Sequence, residues 1–404
     1  MTRALIIGSG VAGPVLSMAL QQADIESRIF SGDAAGVGED GSWLNFQSAN
    51  GIDALRAIDA AGPVEKLGYE VETMSFANSR GRSLGRMPIP ARPDGLKSMM
   101  VPRAALREAL DGTARERGIA VEYGKTLRDV VRLPGGGVQA VFADGSTADG
   151  DLLIGCDGVH STVRTLIDPH APAPSPVPVL TTGGYIPDFT IAAPEHDLHI
   201  NLGTRCSFAW LRTPDGGTAW FANPPKTGDT PDGVLSDGDD AALRRWLHEI
   251  MAGETKLAHD IVDAAPAPLF GWSSYTMPVA RRWHDNHGMV IIGDAAHVTS
   301  PTAGQGLALA IEDAVVLAQC LRDCPDVPTA FTTFEALRRD RVTKIVKHGR
   351  NPEPPGAIGR FLRDLMMPVI LGKTAKDGGK SLMWIQGHHI DFDARVTPVT
   401  RSDS

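Results

Sequence analysis

Two short groups of residues in the last third of the chain have the types and spacing of a ligand-binding loop, Gly293-Asp294 and Gly304-Gln305-Gly306. The glycines at 304 and 306 carry no Cβ, so the backbone there can approach a partner closely. Apolar residues at helical spacing follow over residues 307–321, and the NH groups and dipole of a helix start favour negative charge by roughly 0.3 to 2 kcal/mol. This stretch predicts a binding site for an electron-rich group, with an ordinary strand-to-helix crossover as the alternative.

A second glycine-rich segment opens the chain. Residues 4–7 are a candidate buried strand, and Gly8-x-Gly10-x-x-Gly13 follows them and starts a helix to about residue 22. Glycines at this spacing permit a tight turn, close approach of the backbone to a pyrophosphate, and tight packing of the helix on the strand. The segment predicts a dinucleotide-binding unit.

A third segment, residues 151–164, has the sequence DLLIGCDGVHSTVR. A buried strand ends there at Asp157-Gly158, which by itself could be a plain turn. In this order the three segments resemble the class A flavoprotein monooxygenases, the aromatic-hydroxylase family. That family's GD motif, G-D-A-A-H followed by P and G-Q-G, stands at Gly293 to His297, Pro301 and Gly304 to Gly306. Its DG motif matches Cys156 to Gly158, Ser161 and Arg164.

The resemblance covers most of the chain. Within the family, the chain is similar to tetracycline-modifying and salicylate-hydroxylase-like members. It implies an α/β fold with a Rossmann-like FAD-binding domain of the p-hydroxybenzoate hydroxylase type, an inserted split antiparallel β-sheet substrate domain, and C-terminal helices. The implied bounds are 1–67, 101–174 and 278–350 for the FAD-binding domain. Residues 68–100 and 175–277 form the substrate domain, and residues 351–404 a helical segment and tail.

The resemblance also implies a set of FAD contacts. Asp294 is expected to accept hydrogen bonds from the ribityl chain, while the backbone from Gly304 to Leu307 faces the pyrimidine end of the isoalloxazine, which is negatively charged when reduced. Arg103 matches an arginine that reaches the FAD phosphate or ribose. The full expected set is Gly8, Gly10, Val11, Ala12, Gly13, Ser31, Arg103, Asp157, Gly293, Asp294, Pro301, Gly304, Gln305, Gly306 and Leu307.

The second predicted strand, residues 26–30, departs from the family pattern at its end. An acidic residue is expected there to bind the adenosine ribose hydroxyls, and Ser31 stands in its place. A serine can accept a hydrogen bond but cannot hold two hydroxyls as a carboxylate does. Asp33 is the alternative if the turn shifts by two residues. Weaker retention of FAD is therefore expected.

The candidate substrate surface lies in residues 175–277, where residues 197–201, 208–212 and 218–221 are the likeliest strands. Alternation places His199 with Asn201, and Trp210 with Arg212, on common faces. We predict a substrate face formed by His199, Asn201, Trp210, Arg212 and Trp220. Aromatic core packing in a sheet is the alternative.

Composition limits the possible partners. The chain has 39 Lys and Arg against 48 Asp and Glu, a formal net charge of -9 with no long basic run, which argues against nucleic acid and anionic membrane surfaces. No apolar run approaches a membrane span of roughly 20 residues. The four cysteines form no C-x-x-C pair, so a reducing cytoplasm is expected and no metal site is predicted.

Two further features are predicted to be structural. His297 has no proton-transfer role implied by the resemblance. The charge run on the helix predicted over residues 329–346, with Arg338, Arg339, Asp340, Arg341 and Lys344, is interpreted as a solvated face. The oligomeric state is left open.

The implied activity is that of an FAD-dependent monooxygenase. NADPH or NADH supplies two electrons, and one oxygen atom of O2 is inserted through a C4a-hydroperoxyflavin into an aromatic or polycyclic small molecule. The protein contributes positioning, charge stabilisation and water exclusion, and no catalytic side chain is identified. Natural-product tailoring or modification is the leading interpretation. Catabolism of a simple aromatic acid, or non-catalytic binding of a drug or metabolite, is the alternative.

Overall fold

Most predicted strands and helices form close to their expected bounds. The computed structural model describes residues 2–34, 44–47, 49–226, 239–269, 271–300, 303–349 and 356–399. The strands are β1 (Arg3–Ile7), β2 (Glu26–Phe30), β3 (Leu44–Gln47), β4 (Tyr69–Glu70), β5 (Thr73–Asn78), β6 (Ser83–Pro88), β7 (Met99–Pro102), β8 (Val121–Glu122), β9 (Leu127–Arg132), β10 (Val138–Phe142), β11 (Thr147–Gly150), β12 (Leu152–Gly155), β13 (Ser175–Ile186), β14 (Asp197–Leu202), β15 (Ser207–Arg212), β16 (Thr218–Asn223), β17 (Gly271–Thr276) and β18 (Met289–Ile291). The helices are α1 (Ala12–Gln22), α2 (Ala49–Arg56), α3 (Gly62–Glu65), α4 (Arg103–Glu116), α5 (Thr162–Ile167), α6 (Asp240–Ile250), α7 (Lys256–Ala264), α8 (Gly306–Asp323), α9 (Val327–His348), α10 (Ala357–Lys376) and α11 (Met383–Gln386).

A parallel sheet with strand order β18-β12-β1-β2-β8 is the centre of the first domain. Strands β1 and β12 are continuous apolar runs because both faces of the sheet are covered there: residues 4–7 of β1 and all of β12 are buried. Helix α1 packs against β2 and α8, and α8 is buried along most of its length. The predicted dinucleotide-binding unit is confirmed as β1-α1-β2.

The second domain is a sheet in the order β17-β13-β16-β15-β14-β5-β6. Strands β5 and β6 come from the earlier chain segment and the others from the later one, so the predicted split sheet is confirmed. The two segments meet where β14 pairs with β5 in parallel, whereas the other neighbouring pairs are antiparallel. Strands β4 and β7 instead join β3 in a small sheet that lies between the two domains.

The two faces of this seven-stranded sheet pack against different elements. Trp210 and Trp220 lie on one face, in a core that includes residues of α6 and α7. Leu211 and Phe221 lie on the opposite face, in a core that includes Met100 of β7. Strand β3 also lies against β16. The second face is therefore the one turned towards the parallel-sheet domain.

The prediction of a solvated charge run on α9 was wrong for Arg338 and Arg341, although Asp340 and Lys344 are exposed. Arg338 is 1% exposed, and its guanidinium pairs with Glu312 at 2.6 Å and with Asp313 at 2.7 Å. Arg341 also pairs with Glu312, at 2.8 Å. Two adjacent buried carboxylates on α8 require counter-charges inside the protein, and α9 supplies them.

The charges of this cluster keep both carboxylates ionised. Burial alone would raise the pKa of Glu312, but Arg338 and Arg341 outweigh it and hold that pKa well below its usual value. Burial likewise opposes ionisation of Asp313, and His297 and Arg338 lower its pKa. Because the folded-state pKa values are depressed, the cluster stabilises the fold above the ordinary carboxylate pKa values and loses that contribution as the pH falls.

Replacing one carboxylate should therefore destabilise the protein in a pH-dependent way. Glu312→Gln leaves Arg338 buried with one counter-charge fewer, and we expect the free energy of unfolding at neutral pH to fall by about 3–5 kcal/mol. Lys347→Gln, at an exposed position on α9, is the matched control and should change the free energy of unfolding by less than about 0.5 kcal/mol. Urea unfolding at neutral pH and well below pH 4.5 measures both. If Glu312→Gln lowered the free energy of unfolding by the same amount at both pH values, the ionised Glu312 carboxylate would not be the source of this stability.

Candidate functional site

The three glycines of the first motif, Gly8, Gly10 and Gly13, meet different structural requirements. A Cβ on Gly8 would lie 2.3 Å from the carbonyl oxygen of Cys156, and one on Gly13 would lie 2.1 Å from that of Gly8. Both are therefore required by the packing of strand, turn and helix. A Cβ on Gly10 would have no atom of the described residues within 4 Å. Open space in front of Gly10 is what close approach of a ligand to the backbone needs.

Helix α1 begins at this turn, with Val11 as its N-cap residue and Ala12 as its first residue. The Val11 side chain forms no capping hydrogen bond, and the first turn has no acidic residue. The positive end of the helix dipole is therefore available to an anion.

The start of α8 has the same character. Gly306 is its first residue and Gln305 its N-cap, with no side-chain cap and no acidic residue in the first turn. Gly293 and Gly304 have φ of 59° and 58°, a region that favours glycine. A Cβ on Gly306 would lie 2.8 Å from Thr299 Oγ1, so the close packing of the loop excludes larger residues.

Three other expected contact residues lie near the ends of strands or helices. Asp294 is exposed three residues after β18, and Leu307 is half-buried in the first turn of α8. Pro301 lies outside the described residues. Arg103 is the first residue of α4, as predicted, and is half-buried.

Asp313, one of the two buried carboxylates on α8, forms hydrogen bonds with this loop. Asp313 Oδ2 accepts hydrogen bonds from the Gly293 backbone NH at 3.0 Å and from His297 Nε2 at 2.6 Å. His297 is fully buried, in agreement with its predicted structural role. The ion cluster therefore fixes the position of the motif as well as the packing of α8 on α9.

Asn50 is a site residue that sequence reasoning missed. Its Nδ2 donates to Gln305 Oε1 at 3.1 Å and to Glu312 Oε1 at 2.6 Å, and the residue is fully buried in α2. It fixes the side chain of Gln305 at the start of α8. An asparagine near a predicted helix start reads as a cap, so its sequence position gave no signal of this role.

The DG segment connects the two glycine loops. Asp157 Oδ1 accepts from Ser161 Oγ at 2.5 Å and Oδ2 accepts from the Val163 NH at 3.0 Å, so the carboxylate caps α5. Burial raises the pKa of Asp157, against the lowering effect of these hydrogen bonds. Arg164 donates to the carbonyl of Ala295 at 3.0 Å. The observed contacts of Asp157 are structural, and a contact with FAD remains a proposal.

Ser31 stands where the family has an acidic residue, and its hydroxyl oxygen already accepts hydrogen bonds from within the protein. Ser31 is 1% exposed, and its Oγ accepts hydrogen bonds from Ser9 Oγ at 2.8 Å and from the Asp33 NH at 3.3 Å. Asp33 is exposed two residues further along. Among the described residues, Asp33 therefore has an exposed carboxylate close to this end of β2.

The structure places the five predicted substrate residues on a sheet face that helices cover. His199, Asn201, Trp210, Arg212 and Trp220 do share one face of the sheet, as alternation required. That face packs on α6 and α7, however, and Trp220 is fully buried there while His199 stacks on Trp210 with ring centroids 4.1 Å apart. Periodicity shows which residues share a face but not which element covers it.

The opposite face contains polar and aromatic residues that sequence reasoning missed. Thr181 on β13 pairs with Asn223 on β16, and its Oγ1 donates to Asn223 Oδ1 at 3.1 Å. Trp272 on β17 is the cross-strand neighbour of Thr181. Phe221 lies on the same face, next to Asn223. These residues are turned towards β3 and the parallel-sheet domain.

In the part of the chain that the structure describes, no group of three or more His, Cys, Asp and Glu is placed to hold a metal ion. None of the described helices has the length and apolar character needed to cross a membrane.

Comparison with known proteins agrees with this geometry. A family model described as FAD binding domain matches residues 1–204 and 237–348. The chain is 27% identical over 345 residues to aurachin C monooxygenase/isomerase from Stigmatella aurantiaca, covering 85% of this chain and 86% of that protein. It is 27% identical to 3-amino-4-hydroxybenzoate 2-monooxygenase from Streptomyces cremeus over 357 residues, covering 86% of each. The structure of Klebsiella pneumoniae HpxO complexed with FAD and uric acid has a TM-score of 0.78 at 23% identity, covering 93% of this chain and 96% of that one.

The fold and the three loops define a flavoprotein monooxygenase with the p-hydroxybenzoate hydroxylase type of architecture, and the predicted resemblance is confirmed. The chain belongs to the FAD binding domain family of FAD-dependent monooxygenases.

Substitution at Gly10 tests the place of the cofactor. Gly10→Ala should leave the fold intact but raise the Kd for FAD by about 10- to 100-fold, because a methyl group would enter the space the ligand needs. Gly112→Ala in α4, whose Cβ also meets open space, is the matched control and should leave the Kd unchanged. Flavin fluorescence titration measures both. Equal affinities for the two variants would contradict the placement.

Proposed function

We infer that this protein uses FAD, electrons from NADPH or NADH, and O2 to insert one oxygen atom into a neutral aromatic or polycyclic small molecule, in natural-product tailoring or modification. The observation that carries this proposal is the pair of helix starts, at α1 and α8, whose N-cap side chains form no cap and whose first turns have no acidic residue. Relatives named for aurachin C and 3-amino-4-hydroxybenzoate support a small aromatic substrate.

The residues present fit FAD. The open space before Gly10 and the uncapped start of α1 suit its pyrophosphate, while the start of α8 suits the electron-rich end of its ring. FAD, when bound, supplies electron transfer from a nicotinamide to O2. Asp294, Arg103 and the backbone of residues 304–307 are the proposed contacts of its ribityl chain, phosphate or ribose, and ring.

The protein's own contribution is mainly electrostatic and steric. The start of α8 stabilises negative charge at its backbone NH groups, and the Asn50–Glu312 hydrogen bond keeps that start rigid, so no reorganisation is needed when charge develops. Phe221 and Leu211, on the sheet face, exclude water from the space between the domains.

The charge of this face distinguishes the candidate substrates. The side chains of β13, β15 and β16 that point towards the parallel-sheet domain include no Lys, Arg or His within residues 181–185, 207–211 and 219–223: Thr181, Tyr185, Ser207, Ala209, Leu211, Ala219, Phe221 and Asn223. A carboxylate substrate would need a cation or several donors in such a setting. The face therefore favours a neutral substrate over a simple aromatic acid.

A substrate panel tests this proposal. We expect neutral polycyclic aromatic compounds to stimulate NADPH or NADH oxidation and to gain one oxygen atom in the product mass, while simple aromatic acids do neither. Asn223→Leu should lower kcat/KM by about 10-fold or more through loss of a polar contact. Arg212→Leu, on the helix-covered face, is the control and should leave kcat/KM unchanged. Selective turnover of aromatic acids, or donor oxidation that no compound stimulates, would overturn the proposal.

The adenosine end of FAD is proposed to bind Asp33. Both acceptor positions of Ser31 Oγ are used within the protein, whereas the Asp33 carboxylate is exposed at the end of β2. Asp33→Asn should therefore raise the Kd for FAD by about 10-fold, and Ser31→Ala by less than about 3-fold. Equilibrium dialysis against FAD measures both values. A larger effect at Ser31 than at Asp33 would assign the ribose to Ser31 instead.

A further inference from the structure

Helix α10 presents an apolar stripe to solvent. Its members recur at intervals of three and four residues and are 49% to 78% exposed: Ile358, Phe361, Leu362, Leu365, Met366, Val369 and Ile370. At about 100° per residue these positions cover about half of the helix circumference. An exposed patch of this size is characteristic of an interaction surface.

The opposite side of α10 fixes the orientation of the stripe. Arg363 Nη2 donates to the Leu202 carbonyl at 3.0 Å, and Asp364 accepts from Asn78 Nδ2 at 3.0 Å. Leu371 packs over Gly85 on β6. The helix is thus held to the sheet by hydrogen bonds and one buried leucine, with its apolar face outward, which reverses the usual arrangement of a surface helix.

The chain has little else with which to cover this stripe. Residues 1, 35–43, 48, 227–238, 270, 301–302, 350–355 and 400–404 lie outside the described residues, and their large apolar residues are Met1, Val37, Trp43, Val234, Leu235 and Phe270. Six such residues in four separate segments do not match a continuous stripe of seven. This composition favours an occupant from outside the chain.

We propose that the occupant is a second copy of this chain, in a two-fold symmetric dimer whose α10 helices pack antiparallel. The stripe is self-complementary about residues 364–365: in an antiparallel pair Ile358 meets the partner's Ile370, and Leu362 meets the partner's Met366. A two-fold interface requires such matching of one patch with itself. Antiparallel helix dipoles also favour this pairing.

The size of the stripe suits a stable dimer. Its seven side chains expose roughly 100 Å² each, so one copy contributes about 700 Å², close to the roughly 800 Å² per partner of a standard interface. A lipid surface is less suited, because the chain's net charge of -9 opposes approach to an anionic bilayer. Co-sedimentation with lipid vesicles distinguishes a lipid surface from a second copy of the chain.

Sedimentation equilibrium tests the dimer directly. The full chain should have twice its mass of 42.9 kDa at micromolar concentration. Leu365→Glu should raise the dimer Kd by at least about 100-fold, because the substitution occurs twice in the interface. Leu337→Glu on α9, 48% exposed and outside the stripe, is the matched control and should leave the dimer intact. A monomeric wild-type chain, or a dimer that Leu365→Glu leaves unchanged, overturns the proposal.

Cross-linking tests the antiparallel geometry. Leu365→Cys lies near the two-fold axis and should form an intermolecular disulfide on mild oxidation. Ile358→Cys should not, because its two copies would lie on the order of 20 Å apart. Equal cross-linking at both positions rules out the antiparallel arrangement. Co-sedimentation of a monomeric wild-type chain with phosphatidylcholine–phosphatidylserine vesicles would assign the stripe to a membrane surface and overturn the proposal.

Discussion

Two adjacent carboxylates in the middle of a buried helix, Glu312 and Asp313, impose the constraint on which the site depends. Their charges must be balanced inside the protein, and Arg338 bonds to both of them. The same carboxylates accept hydrogen bonds from the Gly293 NH and from Asn50, which also bonds to Gln305. Balancing charge in the core therefore also fixes the loop and the start of α8, so that a ligand meets a preorganised site.

Backbone and side chains have separate tasks in this architecture. The proposed cofactor contacts are mostly NH groups at two helix starts and glycines whose Cβ would clash or obstruct. The proposed substrate contacts are side chains on one sheet face, such as Thr181 and Asn223. His160, next to the DG motif, packs edge-on against Tyr275 of β17 with ring centroids 4.9 Å apart and joins the two parts. Substrate preference can therefore vary on the sheet without altering the cofactor loops.

Local features of the fold were predictable from sequence, whereas features that depend on distant partners were not. Glycine spacing and helical periodicity predicted β1, α1, β2 and α8 because those signals are contained in the segment itself. Alternation grouped Trp210 with Trp220 correctly, but the covering helices that bury them come later in the chain. The charge pattern predicts a solvated Arg338 because its partners lie on another helix. The outward stripe of α10 likewise depends on contacts with β6 that helical spacing does not show.

The central claim is that the uncapped start of α8 stabilises negative charge on the bound flavin ring. Anaerobic reduction of the FAD-bound protein, followed by absorbance over a pH series, measures this directly. The account predicts that the bound reduced flavin remains anionic at a pH at which free reduced FAD has taken up its proton. A protein that binds no FAD, or a bound reduced flavin that protonates at the same pH as free FAD or above it, would contradict the account.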